Sequence, residues 1–228
     1  MLLLETSHQP GLVGLALGDR LVARRQLESG RHNARDITPT IAALLGEQGW
    51  NAHDLDAVAV GRGPGSYTGL RVGIVSAKTL AYVTGCRLVA VDTFAIIAVR
   101  TPPGCPRIDI IADAQKDAIY LQGFERDGEG WRPTSELRIV EFGDWLSRRD
   151  PAIWVGGPGL TRYRECLPAD VLVSPVECWS PGLESLSSLA SGRLDAGERD
   201  DVFALEPLYL RASSAELQWR DRTRRTPS

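Results

Sequence analysis

Between Ser66 and Thr84 this chain carries only two charged side chains, Arg71 and Lys78, in a run otherwise built of apolar, small and hydroxyl residues. Leu70, Ile74, Leu80 and Val83 recur at helical spacing, which predicts a helix from about Thr68 to Thr84. A helix that is apolar nearly all round must be covered on more than one side. Its own sheet supplies one cover, and a second element or another chain must supply the other. Gly69, Gly73, Ala77 and Ala81 fall at i, i+4 spacing and form a stripe small enough for another backbone to approach closely. Arg71 and Lys78, seven residues apart, share a narrow stripe of their own. The expected partner interface is therefore Gly69, Arg71, Gly73, Ala77, Lys78 and Ala81.

The segments around this helix set the fold class. LLLETS, GLVGLAL and RLVARRQL are short β-rich runs parted by turn residues and predict a three-stranded meander. Ile37, Ile41, Leu44 and Leu45 predict a helix over about Asp36 to Gln48, with Pro39 tolerated near its first turn. DAVAV then reads as a buried strand, GRGPGSYTG as a turn into the apolar helix, and RLVAVDT as the next strand. A meander followed by strand, helix and strand is the plan of a ribonuclease H-like domain, the half-unit of actin-like proteins. After a break at TPPGCP (101–106), RIDIIADAQ and AIYLQGFE predict a second hairpin, followed by helix, strand, Gly turn and helix. WVGGPGLTRY (154–163) echoes AVGRGPGSYTG (59–69), each a strand running through Gly-Pro-Gly into a helix. The expectation is an α/β protein of two ribonuclease H-like (actin-like ATPase, ASKHA) domains, the second smaller and degenerate. They span residues 1–100 and 101–228, with a C-terminal helix packing back on the first.

The turn before the apolar helix admits two readings. Glycines permit close backbone approach, and free amides with the hydroxyls of Ser66 and Thr68 can hold an anion through Gly63, Pro64, Gly65, Ser66, Thr68 and Gly69. The alternative is a tight strand-to-helix turn closed by a helix cap. Neither familiar phosphate motif fits, since no Lys follows these glycines until Lys78 and G-x-G-x-x-G is met only as G-R-G-P-G-S.

Catalytic sets are missing from the sequence. His8, His32 and His53 are far apart, and His32 with Asp36 supplies at most two ligands on one helical face. Cys86, Cys105, Cys166 and Cys178 are scattered, and no G-x-S-x-G elbow occurs. Glu5 and Asp113 sit near strand ends where an actin-like fold would place magnesium and phosphate, yet Asp113-Ala-Gln-Lys-Asp117 contains no glycine. A net charge of -3 argues against a broad nucleic-acid-binding face. Arg220, Arg222, Arg224 and Arg225 form the one basic cluster, expected as a solvated helix end, with a supplementary phosphate contact as the other reading. No run approaches the ~20 apolar residues of a membrane span, and MLLLETS lacks the basic start of a signal peptide, so a cytoplasmic chain without membrane association is expected.

GRGPGSYTGLRVG closely resembles the TsaB family, also called YeaZ, the smaller actin-like subunit of the bacterial tRNA threonylcarbamoyladenosine machinery. LLLETS is similar to the family's opening strand, GRHNARDITPTI to a helix start, RLVAVDTFAIIA to the strand and helix that follow, and EPLYLR (206–211) to its closing segment. The resemblance implies a scaffolding and dimerisation subunit required for threonylcarbamoyl transfer to the adenosine next to the tRNA anticodon. It would act by binding and positioning the catalytic paralogue TsaD, with a TsaE-like ATPase and tRNA joining through the complex and a homodimer forming when the chain is alone. TsaD carries a His-x-x-x-His metal pair where this chain reads Asp92-Thr93-Phe94-Ala95-Ile96-Ile97. No catalytic residue, metal or cofactor is therefore assigned to this chain, and ATP and magnesium are used by the complex. Glu5 stands where the family usually has Asp, and Asn33-Ala34 where it usually has Ser-Glu, which argues against nucleotide handling by this subunit. The competing readings are a stand-alone glycoprotease-like peptidase, a nucleotide-binding ATPase, and a dinucleotide-binding module using Asp92.

Overall fold

Alternation along the first strand decides how the chain is layered. In the computed structural model, which describes residues 1–18, 20–28 and 33–210, β1 (Leu2–Glu5) is buried at every position. A strand buried on both faces must be central. It pairs antiparallel with β2 (Leu12–Leu17), which pairs with β3 (Arg20–Gln26), and parallel with β4 (Ala57–Gly61), which pairs in parallel with β5 (Arg87–Val91). The order β3-β2-β1-β4-β5 is the expected meander extended by a strand-helix-strand unit.

Leu2, Leu4, Val58, Val60 and Leu88 face α1 (Asn33–Glu47) and α2 (Tyr67–Thr84), meeting Ile37, Ile41, Leu44 and Ile74. Leu3, Ala59 and Val89 face the other way, onto Ile96 of α3 (Thr93–Val99) and Leu183, Leu186 and Ala190 of α6 (Leu183–Asp195). Helix α1 begins earlier than expected, so Pro39 lies inside it and removes a backbone bond. Burial of Ile37, Ile41 and Leu44 against the sheet compensates for that loss.

The second sheet is built on β6 (Arg107–Asp113) and β7 (Ala118–Asp127), the expected hairpin. Two short strands that the sequence pattern does not signal, β8 (Gly130–Pro133) and β9 (Arg138–Glu141), pair in succession along the outer edge of β7. Beyond α4 (Phe142–Arg148), β10 (Trp154–Gly156) runs parallel to β6 and leads through Gly157-Pro158-Gly159 into α5 (Leu160–Tyr163), a single turn that continues as a 3₁₀ turn and stops before Pro168. Gly159 lies on the Ile111 carbonyl and donates to it at 2.9 Å, which presses this second turn against β6.

Helix α3 joins the two sheets. Ile96 enters the core of the first, while Phe94, Ile97 and Ala98 enter a cluster with Ile108, Ile110 and Phe124 of the second. After α6 the chain returns along the first sheet. Asp200 accepts from Ala90 N at 2.7 Å and covers the open edge of β5. Leu205 is buried in the same core as α2, and Leu208 N donates to Arg62 O at 2.8 Å. Among the described residues no helix is long and apolar enough to cross a membrane. The C-terminal arginines lie outside the described residues, as does His32.

Because Phe94 is fully buried where the sheets meet, Phe94→Ala should cost about 3–5 kcal/mol of stability. Chemical denaturation should show the midpoint falling for both halves together rather than for one alone.

Candidate functional site: the glycine turn and helix α2

The turn after β4 exists to bring backbone onto backbone. A side chain at Gly61 would collide with the Glu5 carboxyl, one at Gly65 with Ser7, and one at Gly69 or Gly73 with Thr6. The space left by these glycines is thus filled by residues 5–7, and the contact is secured by hydrogen bonds. Ser66 N donates to Ser7 O at 2.7 Å, and Thr6 Oγ1 donates to Gly69 O at 2.8 Å. Ser66 is the N-cap of α2, its Oγ accepting from Gly69 N at 3.2 Å. Gly63, at φ +112°, lies between Leu70 and Leu208 and exchanges hydrogen bonds with Thr93. The geometry includes the capped turn, with Ser66 closing the start of α2. Gly63, Gly65, Ser66 and Gly69 are engaged by the chain itself, Pro64 is buried, and Thr68 alone of that set is exposed.

The small-residue stripe of α2 requires the same kind of correction. Gly69 and Gly73 are buried against Thr6, just past β1, and Ala77 and Ala81 in the core shared with the sheet, so the close approach they permit is used inside the chain. Lys78 donates to the carbonyls of Phe203 (3.1 Å) and Leu205 (2.9 Å). Arg71 lies over the Tyr67 ring at 4.2 Å and donates to Tyr209 Oη at 3.1 Å, with the two tyrosine rings stacked at 4.7 Å. Both cations therefore fasten the returning C-terminal segment along α2. The face turned outward carries Val75, Tyr82 and Val83, exposed by 60%, 67% and 64%, and Phe203 of the returning segment, exposed by 78% and set edge-on to Tyr82. Val75 and Tyr82 are seven residues apart on the side marked by Thr68, Arg71 and Thr79, a signal present in the sequence. Phe203 joins them only through the fold.

The acidic residues expected near strand ends have internal duties. Asp113 accepts from Gln115 N at 2.8 Å and pairs with Arg162 at 3.1 Å, which also reaches Asp117 at 2.9 Å. These bonds hold Gln115, Lys116 and Asp117 in left-handed conformations (φ +63°, +53° and +56°) that the glycine-less sequence does not favour. Asp92 pairs with Arg62 at 2.5 Å, which takes away the acidic group a dinucleotide reading needs. Phe94, Ile96 and Ile97, in the Asp92–Ile97 segment that carries no histidine, are core residues, Ile96 in the core of the first sheet and the other two where the sheets meet. Among the described residues no three His, Cys, Asp or Glu side chains gather as a metal cluster.

Glu5 is fully enclosed. Its Oε1 accepts from Ser7 N at 2.8 Å, while Oε2 has no partner among the described residues. Burial pushes its pKa up to about 7, opposed by the hydrogen bonds from Ser7. Burial acts oppositely on the neighbouring His8, whose pKa falls to about 4.

The α/β plan, a central hairpin extended by a parallel strand with a glycine turn feeding a buried helix, defines a protein of the actin-like class. A family model for TsaD, tRNA N6-adenosine threonylcarbamoyltransferase, matches residues 27–161. The chain is 33% identical to the tRNA threonylcarbamoyladenosine biosynthesis protein TsaB of Haemophilus influenzae, covering 96% of this chain and 95% of that one. It is 25% identical to the TsaB protein of Bacillus subtilis over 96% and 97% of the two chains. The structure superposes on YeaZ from Pseudomonas aeruginosa with a TM-score of 0.77 at 28% identity, covering 92% of this chain and 98% of the other. The chain belongs to the TsaB (YeaZ) family, paralogous to TsaD.

Two outcomes follow from the site. Ala77→Arg places a cation in the core and should cost more than about 4 kcal/mol, so circular dichroism should report unfolding rather than a folded monomer. For Glu5 the folded state holds its proton between pH 4.5 and 7 while the unfolded state releases it, so this group lowers stability as pH rises through that window. His8 acts in the opposite sense, because the unfolded state takes up a proton below pH 6.5 that the folded state refuses. Glu5→Gln should therefore be more stable than the natural chain at pH 8, by up to about 3 kcal/mol, and should show stability rising from pH 4 to 6.5 in urea titrations.

Proposed function

We propose that this chain is the non-catalytic scaffolding subunit in formation of threonylcarbamoyladenosine on tRNA. It binds a TsaD-like paralogue and positions it for transfer to the adenosine next to the anticodon. Full-length membership of the TsaB family is the observation that carries this reading. Its physical support is an outward face of α2 with three large apolar side chains, extended by Phe203, on a chain whose acidic and glycine-rich segments are committed to its own packing.

The finer parts of the reading are these. The division into ribonuclease H-like domains falls near residue 100, with the second degenerate and α6 serving the first. Its support is the repeated plan of an antiparallel hairpin with a parallel strand leading into Gly-Pro-Gly, once from β4 and once from β10. The paralogue docks on Val75, Tyr82, Val83 and Phe203, with Arg71 and Lys78 at the rim. A second copy uses the same face when the paralogue is absent, since a two-fold contact covers an apolar patch on both copies at once. The TsaE-like ATPase and tRNA join through that complex in the cytoplasm.

Val75→Arg tests this assignment, because the position is on the surface and the variant should keep the natural chain's circular dichroism and melting temperature. It should lose capture of the paralogue in a tagged pull-down, and with it tRNA modification in a reconstituted assay. A folded variant that still binds and supports modification would remove α2 from the interface.

A further inference from the structure

The segment that returns from α6 makes a tight turn against α2 at residues 201–205. Asp200 anchors the chain just before it, accepting from Ala90 N at 2.7 Å and pairing with Arg193 at 3.1 Å. Asp201 Oδ1 then accepts from the amides of Phe203 and Ala204, each at 2.7 Å, and Leu205 N closes the turn onto Asp201 O at 3.0 Å. The Ala204 and Phe203 amides hold the Asp201 carboxyl below its usual range, with the Lys78 cation adding to them. From the helix side, Lys78 Nζ donates to Phe203 O at 3.1 Å and to Leu205 O at 2.9 Å. Leu205 is buried in the core beneath, and Val202 packs partly against it.

A turn so fastened would ordinarily turn its largest apolar side chain inward as well. Phe203 stands out in solvent instead, exposed by 78%, with its ring edge-on to Tyr82 at 5.7 Å between centroids. Leaving a phenyl ring in water forgoes its transfer free energy, while the bonds around its backbone fix where the ring stands. A side chain that is exposed and yet firmly based is preorganised for an outside contact, because little ordering entropy remains to be lost on binding. We propose that Phe203 is the aromatic anchor of the paralogue interface, and that Lys78 and Asp201 are positioning residues that set it beside Tyr82. This rests on the α2 docking reading and adds the chemistry of the partner to it: an apolar recess on the paralogue that takes a phenyl ring at the Tyr82 end of the helix. Interfaces draw most of their binding energy from a few aromatic side chains seated in such recesses. Val75, Tyr82, Val83 and Phe203 are all exposed on this face, so two copies of it would meet side chain against side chain, whereas a different surface is free to offer a recess.

The full chain is titrated with its purified TsaD-like paralogue by calorimetry, and light scattering on the chain alone reads self-association. Phe203→Ala should keep the natural melting temperature, since the ring is exposed, and weaken paralogue binding about tenfold or more. Lys78→Met and Asp201→Ala should each weaken binding several-fold alone and add nothing in the Phe203→Ala background, the non-additivity of groups that act through one side chain. Lys78→Arg, which keeps donors for both carbonyls, should restore most of the affinity. Asp201 is on the surface, so its variant keeps the cycle measurable if Lys78→Met folds poorly. A Phe203→Ala chain that binds the paralogue as tightly as the natural chain, while Val75→Arg does not, overturns the anchor and leaves the α2 reading standing. If neither substitution weakens binding, or the natural chain does not bind, the α2 reading falls and the anchor with it. Losses from Lys78→Met and Asp201→Ala that persist in full without the Phe203 ring would overturn the positioning roles. A defect confined to self-association would overturn the paralogue as occupant and assign the ring to a second copy.

Discussion

The approach of residues 5–7 to the start of α2 is the constraint on which the rest of the structure depends. Thr6 and Ser7 can lie against the helix only because Gly65, Gly69 and Gly73 present no side chain there, and their backbone and hydroxyl bonds use the polar groups that such closeness would otherwise strand. Once the helix is fixed at that distance, Ala77 and Ala81 continue the contact down the sheet, and Ile74 reaches the core with α1. A larger residue at Gly69 would displace the strand end or the helix, and either movement would uncover Glu5.

The same closeness commits several of the turn's polar groups to the chain itself. A glycine-rich loop that cradles phosphate needs its amides and cavity open to the ligand. Here the cap hydroxyl of Ser66 already serves Gly69, Ser66 N serves Ser7, and the Gly63 amide is held by Thr93. Glu5, enclosed and tending to hold its proton near neutrality, is a poor magnesium partner compared with an open carboxylate. The turn acts as a structural clamp between residues 5–7 and α2.

Much of this was legible in the sequence. The meander and the apolar helix between its parallel strands follow from spacing alone, and both are observed. The direction of the small-residue stripe was not, because i, i+4 spacing says that a backbone comes close without saying whose. Thr6 supplies that backbone, and it lies more than sixty residues away. The strands Gly130–Pro133 and Arg138–Glu141 carry no sequence signal for a related reason: they are short edge strands, largely exposed, without apolar alternation. Phe203 belongs to the exposed face only through a chain return fastened by Lys78 and Leu205, a contact that no local pattern encodes.

That return gives the outward face of α2 its shape. Lys78 and Arg71 would ordinarily solvate the helix, yet Lys78 is turned onto carbonyls of the returning segment and Arg71 onto Tyr67 and Tyr209, while Val75, Tyr82 and Val83 stay exposed. Phe203 then adds an aromatic edge at the end where α2 alone would present only Tyr82 and Val83. The patch is therefore a composite of α2 and the segment that follows α6. The segment that carries Phe203 leaves α6, which is packed on the opposite side of the first sheet. Although the second half holds no part of α2, it completes the exposed apolar surface of the first half.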